Sequence, residues 1–258
     1  MVLFLTACNQ KQVDTNAPTA MRFTTKNQKS VSGNCSDTIA NSCAEVEFSF
    51  PFFESNGDSF LNQFVTEKLG EGYMDTLHHQ KIEEVMQQFL NSYDTVHSNM
   101  PTFSGRWNWT KKIEVLSQSA NFVTLHVSVY EYAGGAHPNS YEEYFHFDRK
   151  LQQLVQLPDL MKAGGERQLQ NIAENRFRDS FSLKKEVRLD SAGFFFEGGQ
   201  FSLPKNFYFS KTGVVFHYND YEIRSHAEGP YDLEVPFQDL KDLAKPNSYL
   251  ESCFKASN

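Results

Sequence analysis

The sequence lacks the features that identify several large classes of protein. It has 24 Lys and Arg against 32 Asp and Glu, a formal net charge of −8. It therefore lacks the basic stripe that nucleic-acid binding requires, and an anionic membrane surface should repel it. A phosphate-binding loop, a dinucleotide fingerprint and the Gly-x-Ser-x-Gly elbow are all absent. The body also has no run approaching the roughly 20 apolar residues of a membrane span, and no cofactor is predicted.

Cysteine is scarce, with four in 258 residues, and the first of them stands in a distinctive setting. Leu5-Thr6-Ala7-Cys8 matches a lipobox, in which small residues precede the cysteine that receives a lipid. The polar residues 9–20 have no apolar period and indicate a flexible stalk. We therefore expect residues 1–20 to be a shortened lipoprotein signal and stalk, lipidated at Cys8. This predicts a bacterial cell-envelope protein that faces the periplasm or the exterior and is held to the membrane by the lipid alone.

The remaining cysteines are expected to lie in an oxidising compartment, where disulfides form. Cys35 and Cys43 are eight positions apart in a segment rich in Asn and Ser, which favours a local disulfide between them. A zinc site would need a second cysteine pair or nearby histidines, and the segment has neither. Cys253 stands apart near the C-terminus and is predicted to lie outside this disulfide.

Apolar periodicity predicts the order of strands and helices. Strands are predicted at 21–33, 44–52, 106–118, 121–132, 141–148, 151–157, 206–209, 214–218 and 231–237. Helices are predicted from Asp58 to Gly70, from Asp75 or Thr76 to Tyr93, at 166–181 and at 236–243. Because helices and strands do not alternate one for one, we expect an α+β fold with mainly antiparallel sheets and a few packed helices. A soft boundary near Asn121 would divide region 21–120 from region 121–258, both packed into one body.

Two local details are also predicted. Asp58 stands at the position where a short acidic side chain caps the N-terminus of a helix. Trp107 and Trp109 share one face of a strand, and this spacing favours a place in the hydrophobic core.

The segment from Tyr130 to Pro138 (YEYAGGAHP) resembles the Tyr-x-Tyr-x-Gly-Gly-Ala-His signature of RsiV-like and PdaC-like extracytoplasmic domains. The stretches 145–148, 157–160, 206–216, 221–223 and 229–236 resemble later parts of the same family. The strand at 44–52 with the Asp58 helix resembles the domain usually found upstream. The two parts correspond to the domains of unknown function 4163 and 3298, and the resemblance extends over about residues 46–243.

This resemblance implies an envelope protein that is often lipid- or membrane-anchored. RsiV-like members bind host lysozyme as a signal, and PdaC-like members carry these domains beside a separate deacetylase domain. Neither the membrane-spanning anti-sigma segment nor the deacetylase domain is recognisable in this sequence. The resemblance therefore implies a binding protein, with peptidoglycan, another envelope glycan or a lysozyme-like protein as its partner.

The Gly-Gly-Ala-His loop is the predicted ligand-binding site. Its glycines allow a partner to approach the backbone closely, His137 lies where its ring can face a ligand, and the flanking tyrosines form a stacking platform. The alternative is structural, with glycines that supply positive φ, a histidine that pins the loop, and tyrosines that pack the sheet. The predicted contact residues are Tyr130, Tyr132, Gly134, Gly135, His137 and Tyr141.

A catalytic alternative remains open at the same loop. Glycoside hydrolysis needs a pair of carboxylates, and three acids flank the loop: Glu131, Glu142 and Glu143. Together with His137 they predict, as the alternative to binding, a hydrolase that acts on cell-wall material.

A metal site would require His126 and His146, on neighbouring predicted strands, to point the same way near Glu143 or Asp148. No recognised metal-ligand spacing is present, and no metal is predicted.

Overall fold

The computed structural model describes residues 21–33, 35, 42–72, 81–100 and 105–256. They form the predicted α+β fold. The described strands are β1 (Phe23–Gly33), β2 (Cys43–Phe53), β3 (Trp107–Gln118), β4 (Phe122–Tyr132), β5 (Asn139–Asp148), β6 (Gln153–Val155), β7 (Phe207–Phe209), β8 (Gly213–Tyr218) and β9 (Tyr231–Pro236). The described helices are α1 (Ser59–Leu69), α2 (Ile82–Asn99), α3 (Gly165–Ser180), α4 (Phe237–Leu240) and α5 (Tyr249–Ala256).

The strands form two sheets. Six of them follow the chain in the order β1-β2-β3-β4-β5-β6, and β7-β8-β9 form a smaller sheet. Every neighbouring pair is antiparallel except β2 and β3. A parallel pair needs a long crossover, and the segment containing α1 and α2 supplies it. The predicted mainly antiparallel architecture is confirmed.

The first hydrophobic core lies between the larger sheet and the two crossover helices. Strand alternation turns Val46 and Phe48 of β2 toward α1 and α2, where both are fully buried. Trp107 and Trp109 are buried in the same core, as predicted. The Trp109 ring meets the Phe48 ring edge-on at 5.0 Å between centroids, a geometry that adds to the burial of two large side chains.

The second core explains why phenylalanine is so frequent in the sequence. Phe177 of α3 is fully buried and contacts a ring of aromatic side chains. Most of them come from the irregular stretch after α3, where no strand or helix pattern was predicted; they are Phe181, Phe194, Phe196, Phe201 and Tyr231. Aromatic packing thus gives order to a segment that has little regular secondary structure.

Aromatic side chains make contacts between the larger sheet and the elements of the second core. Phe122 of β4 stacks on Tyr249 of α5 at 3.7 Å between ring centroids and meets Phe209 of β7 edge-on. Near Asn121, where the sequence placed its soft boundary, the chain passes from β3 to β4 of one sheet. The division into regions 21–120 and 121–258 stays a prediction.

Some local expectations differ from the structure. Asp58 precedes α1, but its carboxylate makes no capping hydrogen bond, because both oxygens accept from the Arg149 guanidinium at 3.0 and 3.1 Å. The second helix begins at Ile82 in the described part, and the predicted caps Asp75 and Thr76 lie outside it. Helix α5 was not predicted from the sequence.

A buried lysine binds backbone carbonyls at the C-terminus of α1. Lys111 of β3 is 2% exposed, and its ammonium donates to the carbonyls of Lys68 and Glu71 at 2.8 and 3.0 Å. These carbonyls lie at the helix C-terminus, where a positive charge is favourable. Burial lowers the pKa of Lys111 to about 8, against the opposing charges of Glu71 and Glu143. The alternating pattern of β3 does not reveal this contact.

The predicted disulfide is present between Cys35 and Cys43. It joins the start of β2 to the residue two positions after β1. In the chain-entropy model, closing a loop this short stabilises the fold by about 2–3 kcal/mol. We therefore expect Cys35→Ala with Cys43→Ala to lower the free energy of unfolding by that amount in a urea titration. Reductant should then destabilise the wild type but not the variant; equal sensitivity of both proteins would contradict the prediction.

No helix in the described ranges is long and apolar enough to cross a membrane. Cys8 and the predicted signal and stalk, residues 1–20, lie outside those ranges. Lipidation at Cys8 remains a prediction.

Candidate functional site

The candidate site lies on the face of the larger sheet that points away from the helices. Because side chains alternate along a strand, β4 and β5 present polar residues to this face. The smaller sheet and its loops cover it on the β5 side. The polar residues that these strands contribute are Thr124, His126, Ser128, Tyr130, Ser140, Glu142, Tyr144 and His146.

Two asparagines of the segment that covers this face bind the part of the β5 edge that β6 does not pair. The Asn206 side chain donates to the Glu142 carbonyl at 2.7 Å and accepts from the Tyr144 amide at 2.9 Å. The Asn219 side chain accepts from the Glu142 amide at 2.7 Å and donates to its carbonyl at 3.0 Å. Side-chain amides thus satisfy backbone groups that a neighbouring strand would otherwise pair.

Removing one of these amides should loosen the edge. We expect Asn206→Ala to cost about 1–3 kcal/mol of unfolding free energy, because the Tyr144 amide loses its partner. Hydrogen exchange at the Tyr144 amide should accelerate accordingly. Asn27→Ala on the exposed strand β1 is the matched control and should change neither quantity. Unchanged hydrogen exchange at the Tyr144 amide in Asn206→Ala would show that the Asn206 contacts do not stabilise the edge of β5.

Next to these asparagines lies a cavity of about 300 Å³, and both sheets contribute to its walls. The larger sheet contributes charged, hydroxyl and aromatic groups, and the covering segment contributes an imidazole, an amide and a carboxylate. The charged and hydrogen-bonding side chains on the wall include Lys112, Tyr130, Glu142, His217, Asn219 and Asp220. This volume is at the lower end of the range for small-molecule sites.

His217 is the histidine among the residues that line the cavity. Its Nδ1 lies 2.7 Å from Asp232 Oδ1, and its Nε2 is buried and makes no hydrogen bond of full geometry in the described residues, with the Asn219 side chain as the polar group beside the imidazole. Burial alone would lower the pKa of His217, but the hydrogen bond and charge of Asp232, with Glu142 and Asn219, raise it. An imidazole oriented by a carboxylate at one nitrogen can exchange a hydrogen bond or a proton at the other.

A second cluster of polar side chains lies around Glu142. Its carboxylate accepts from the Tyr144 hydroxyl at 2.8 Å and lies 3.3 Å from His126 Nε2. The 3.3 Å contact lacks hydrogen-bond geometry, since His126 Nε2 is also without a partner. Burial, followed by the hydrogen bond to Glu142, raises the pKa of Tyr144, so its hydroxyl stays protonated and donates. Glu142 is thereby fixed beside the cavity.

Asp220 joins the cavity to the Gly-Gly-Ala-His loop. Its Oδ2 accepts from His226 Nδ1 at 3.0 Å, while its Oδ1 is buried with no hydrogen-bond partner in the described residues. The His226 ring stacks on His137 with 4.2 Å between centroids. The loop is therefore connected to the Asp220 carboxylate through the stacked His137 and His226 rings.

Internal contacts hold the loop itself. Gly134 and Gly135 have positive φ, and the Tyr132 hydroxyl donates to the Gly135 carbonyl at 3.0 Å. His137 contacts the Pro138 carbonyl through Nδ1 and the Tyr221 hydroxyl through Nε2, at 3.0 and 3.1 Å. Tyr221 has φ of +66°, a strained conformation for a non-glycine residue.

The structure brings part of the predicted site together at the cavity. Tyr130 lines it, and Tyr141 borders it, but the Tyr141 side chain alternates to the opposite face of the sheet and packs against the first core. The remaining predicted residues, Tyr132, Gly134, Gly135 and His137, form the adjoining loop. Their role in ligand binding stays a prediction. Sequence reasoning missed His217 and Asp220 on the cavity wall, and Asp232, which contacts His217, because these residues come from a region with no recognised site motif.

The acids of the catalytic alternative do not all face the cavity. Glu142 does, whereas Glu131 and Glu143 alternate to the opposite face of the sheet. Glu143 forms an ion pair with Lys68 at 3.2 Å, and burial raises the pKa of Glu131. These three acids therefore do not form the carboxylate pair that the sequence suggested.

The two histidines considered for a metal site are on the same sheet face. His146 Nε2 lies 2.8 Å from the Phe207 carbonyl and Nδ1 lies 3.0 Å from Thr124 Oγ1. Both nitrogens are occupied, so His146 is a structural bridge between the two cores. The described residues contain no group of three or more His, Cys, Asp or Glu that could hold a metal ion.

Comparison with known proteins agrees with this architecture. Residues 38–140 match the family model of deacetylase PdaC, and residues 158–238 match that of the protein of unknown function DUF3298. No curated protein matches the chain.

Two solved structures are similar over nearly the whole chain. A DUF3298 family protein from Pseudomonas aeruginosa PAO1 has a TM-score of 0.69 at 19% identity, over 90% of this chain and 97% of that one. A DUF3298 member from Bacteroides fragilis has a TM-score of 0.71 at 16% identity, over 92% and 98%. At these identities the likeness shows the fold alone. The two family matches follow one another along the chain and agree with the predicted resemblance to the PdaC-like/DUF3298 domain family.

Proposed function

We propose that this protein is a non-catalytic binding module of the bacterial cell envelope whose cavity holds a glycan, such as a fragment of peptidoglycan. The observation that carries this proposal is the cavity wall formed by His217 and Asp220. Each has a buried polar atom with no hydrogen-bond partner in the described residues. Such atoms are costly unless something satisfies them.

A glycan suits the rest of the wall. Hydroxyls of Thr110, Ser128 and Ser140 line the cavity beside Tyr130. Sugar hydroxyls both donate and accept hydrogen bonds, and sugar rings pack on aromatic faces. The cavity combines apolar walls with hydroxyl, imidazole and carboxylate groups, and a sugar, with an apolar ring face and many hydroxyls, suits that mixture better than a lipid.

A lysozyme-like protein is the other partner that the family resemblance implies. A stable protein interface buries about 800 Å² on each partner, and the groups with unsatisfied hydrogen bonds lie in a recess rather than on a flat surface. The recess therefore favours the glycan. Binding of lysozyme is an outcome of the test below.

One observation favours hydrolysis as a second candidate function. His217, with Asp232 at Nδ1 and no partner at Nε2 in the described part of the chain, has the arrangement of a general base. The base would then be His217, because both nitrogens of His137 are engaged. Release of soluble fragments from peptidoglycan, lost in His217→Gln, would favour this alternative over simple binding.

The envelope location is part of the proposal. The family resemblance and the lipobox at Cys8 support it, with the polar stalk as a tether. Membrane partition of the chain expressed with a complete signal, and its loss in Cys8→Ser, would test it. A wild-type protein that stays in the aqueous phase would contradict it.

Sedimentation with purified peptidoglycan tests the binding proposal. We expect saturable retention without release of fragments. Tyr130→Ala should weaken it more than tenfold, the scale of a tyrosine hot spot of about 2 kcal/mol. Phe195→Ala removes another exposed aromatic side chain that does not line the cavity and should leave retention unchanged. No retention, together with binding of soluble lysozyme, would overturn the glycan in favour of the protein partner.

The same assay tests the predicted loop. If the loop contacts ligand, Tyr132→Ala and His137→Ala should weaken retention more than they lower the melting temperature. If it only supports the Asp220 wall, both variants should melt earlier while affinity per folded molecule stays unchanged.

A further inference from the structure

We infer that the ligand of this cavity carries a free amino group that binds the carboxylate of Asp220, so that the glycan is an amino sugar whose nitrogen is not acetylated. This inference rests on the proposed function and names the ligand class of that site. It depends on the Asp220 carboxylate, the charges around it, and the His217 imidazole.

The Asp220 carboxylate is buried and only half satisfied. Its side chain is 10% exposed. Oδ2 accepts from His226 Nδ1, and Oδ1 is fully shielded from solvent without a partner in the described residues. A carboxylate oxygen can only accept hydrogen bonds. The missing partner is therefore a donor, and a positively charged donor best offsets the cost of burying the carboxylate.

The described chain supplies no strong cation for that oxygen. His226 is the basic side chain in ion-pair contact with Asp220 among the described residues, and it occupies the other oxygen. Lys112, on the same cavity wall, has its ammonium 2.8 Å from Glu114. Glu142 adds a second acidic group to the wall. A ligand ammonium would therefore meet more negative than positive charge.

The second atom without a partner, His217 Nε2, indicates which group of the ligand lies next to the amino group. His217 is 7% exposed at its side chain, and its Nε2 accepts a hydrogen bond when the ring is neutral and donates when it is charged. A hydroxyl can serve either state because it both donates and accepts. An amino group with a hydroxyl close by is the arrangement on the ring of a free amino sugar.

Calorimetric titration of the full chain with two matched probes tests the inference. The probes are oligomers of glucosamine and oligomers of N-acetylglucosamine of the same length, which differ only in the acetyl group. We expect the glucosamine oligomer to bind at least tenfold more tightly. The preference should weaken as salt is raised, because screening reduces an ionic attraction.

Asp220→Asn removes the charge at constant shape and should abolish the preference. Asp242→Asn removes an exposed charge that does not line the cavity and is the matched control, with the preference intact. A thermal melt of each variant confirms that it is folded, and the wild-type comparison stands without either variant.

The outcomes separate this inference from the proposed function. Equal binding of both oligomers, or tighter binding of the acetylated one, overturns the amino group while the glycan site stands. No binding of either oligomer, together with no retention on peptidoglycan, overturns both. A preference for glucosamine that survives Asp220→Asn places the amine elsewhere and overturns the assignment to Asp220.

Discussion

Asp58→Ala is expected to lower the free energy of unfolding by about 3–5 kcal/mol, the cost of breaking a buried ion pair by removing one partner. Asp58 is 3% exposed, and its carboxylate accepts two hydrogen bonds from Arg149. The guanidinium also donates to the carbonyls of Ser119 and Ala120 at 3.2 and 3.1 Å. The variant would leave a largely buried positive charge unpaired, at the point where α1 meets the turns around β4.

A double variant separates the charge from the packing. Asp58→Leu combined with Arg149→Met removes both charges and should recover most of the loss, since paired apolar replacements of buried ion pairs are often neutral. Urea titration of wild type, single variant and double variant measures both quantities. A loss below about 1 kcal/mol in Asp58→Ala would show that the pair behaves as an exposed one.

Acid should destabilise the fold through His146. Burial lowers the pKa of His146 to about 4 from its ordinary 6.5, partly opposed by the hydrogen bond to the Phe207 carbonyl. The unfolded chain thus binds a proton between these pH values that the folded protein excludes. The corresponding stability is fully present above pH 6.5 and is lost as the pH falls toward 4. At about 1.4 kcal/mol for each pH unit, the loss is about 3 kcal/mol.

His146→Gln isolates this contribution, because glutamine can still donate to the Phe207 carbonyl but does not titrate. The difference in unfolding free energy between wild type and variant should shrink by about 3 kcal/mol from pH 7 to pH 4. His97→Gln on α2, which removes an imidazole outside the contact between the two cores, is the control. A wild-type to His146→Gln difference that does not vary with pH would contradict the assignment.

The sequence allowed the regular elements to be predicted because their information is local. The alternation at 121–132 reports directly which side chains of β4 face the core, and the same holds for Trp107 and Trp109. Asp58 shows the limit of such reasoning. Its position suits a helix cap, but Arg149, 91 positions away, takes both oxygens. A propensity cannot report a partner that distant in the chain.

The candidate site was predicted only in part for the same reason. Gly134, Gly135 and His137 form a recognisable local pattern, and the structure places them beside the cavity. His217 and Asp232 lie on paired strands, and each reads in the sequence as an ordinary strand residue. Asn219 and Asp220 follow β8 in a turn. Only the packing of the smaller sheet against β5 brings these side chains to the wall formed by Tyr130 and Glu142.

Binding at this site requires that a ligand enter the cavity and satisfy His217 and Asp220. Long-range ¹H–¹⁵N NMR of the histidine side chains during a titration with peptidoglycan fragments tests it most directly, because it observes the imidazole nitrogens themselves. We predict that the Nε2 resonance of His217 shifts saturably while both nitrogens of His146 stay unchanged. Saturable binding with no change at His217 Nε2 would place the ligand elsewhere and contradict the account.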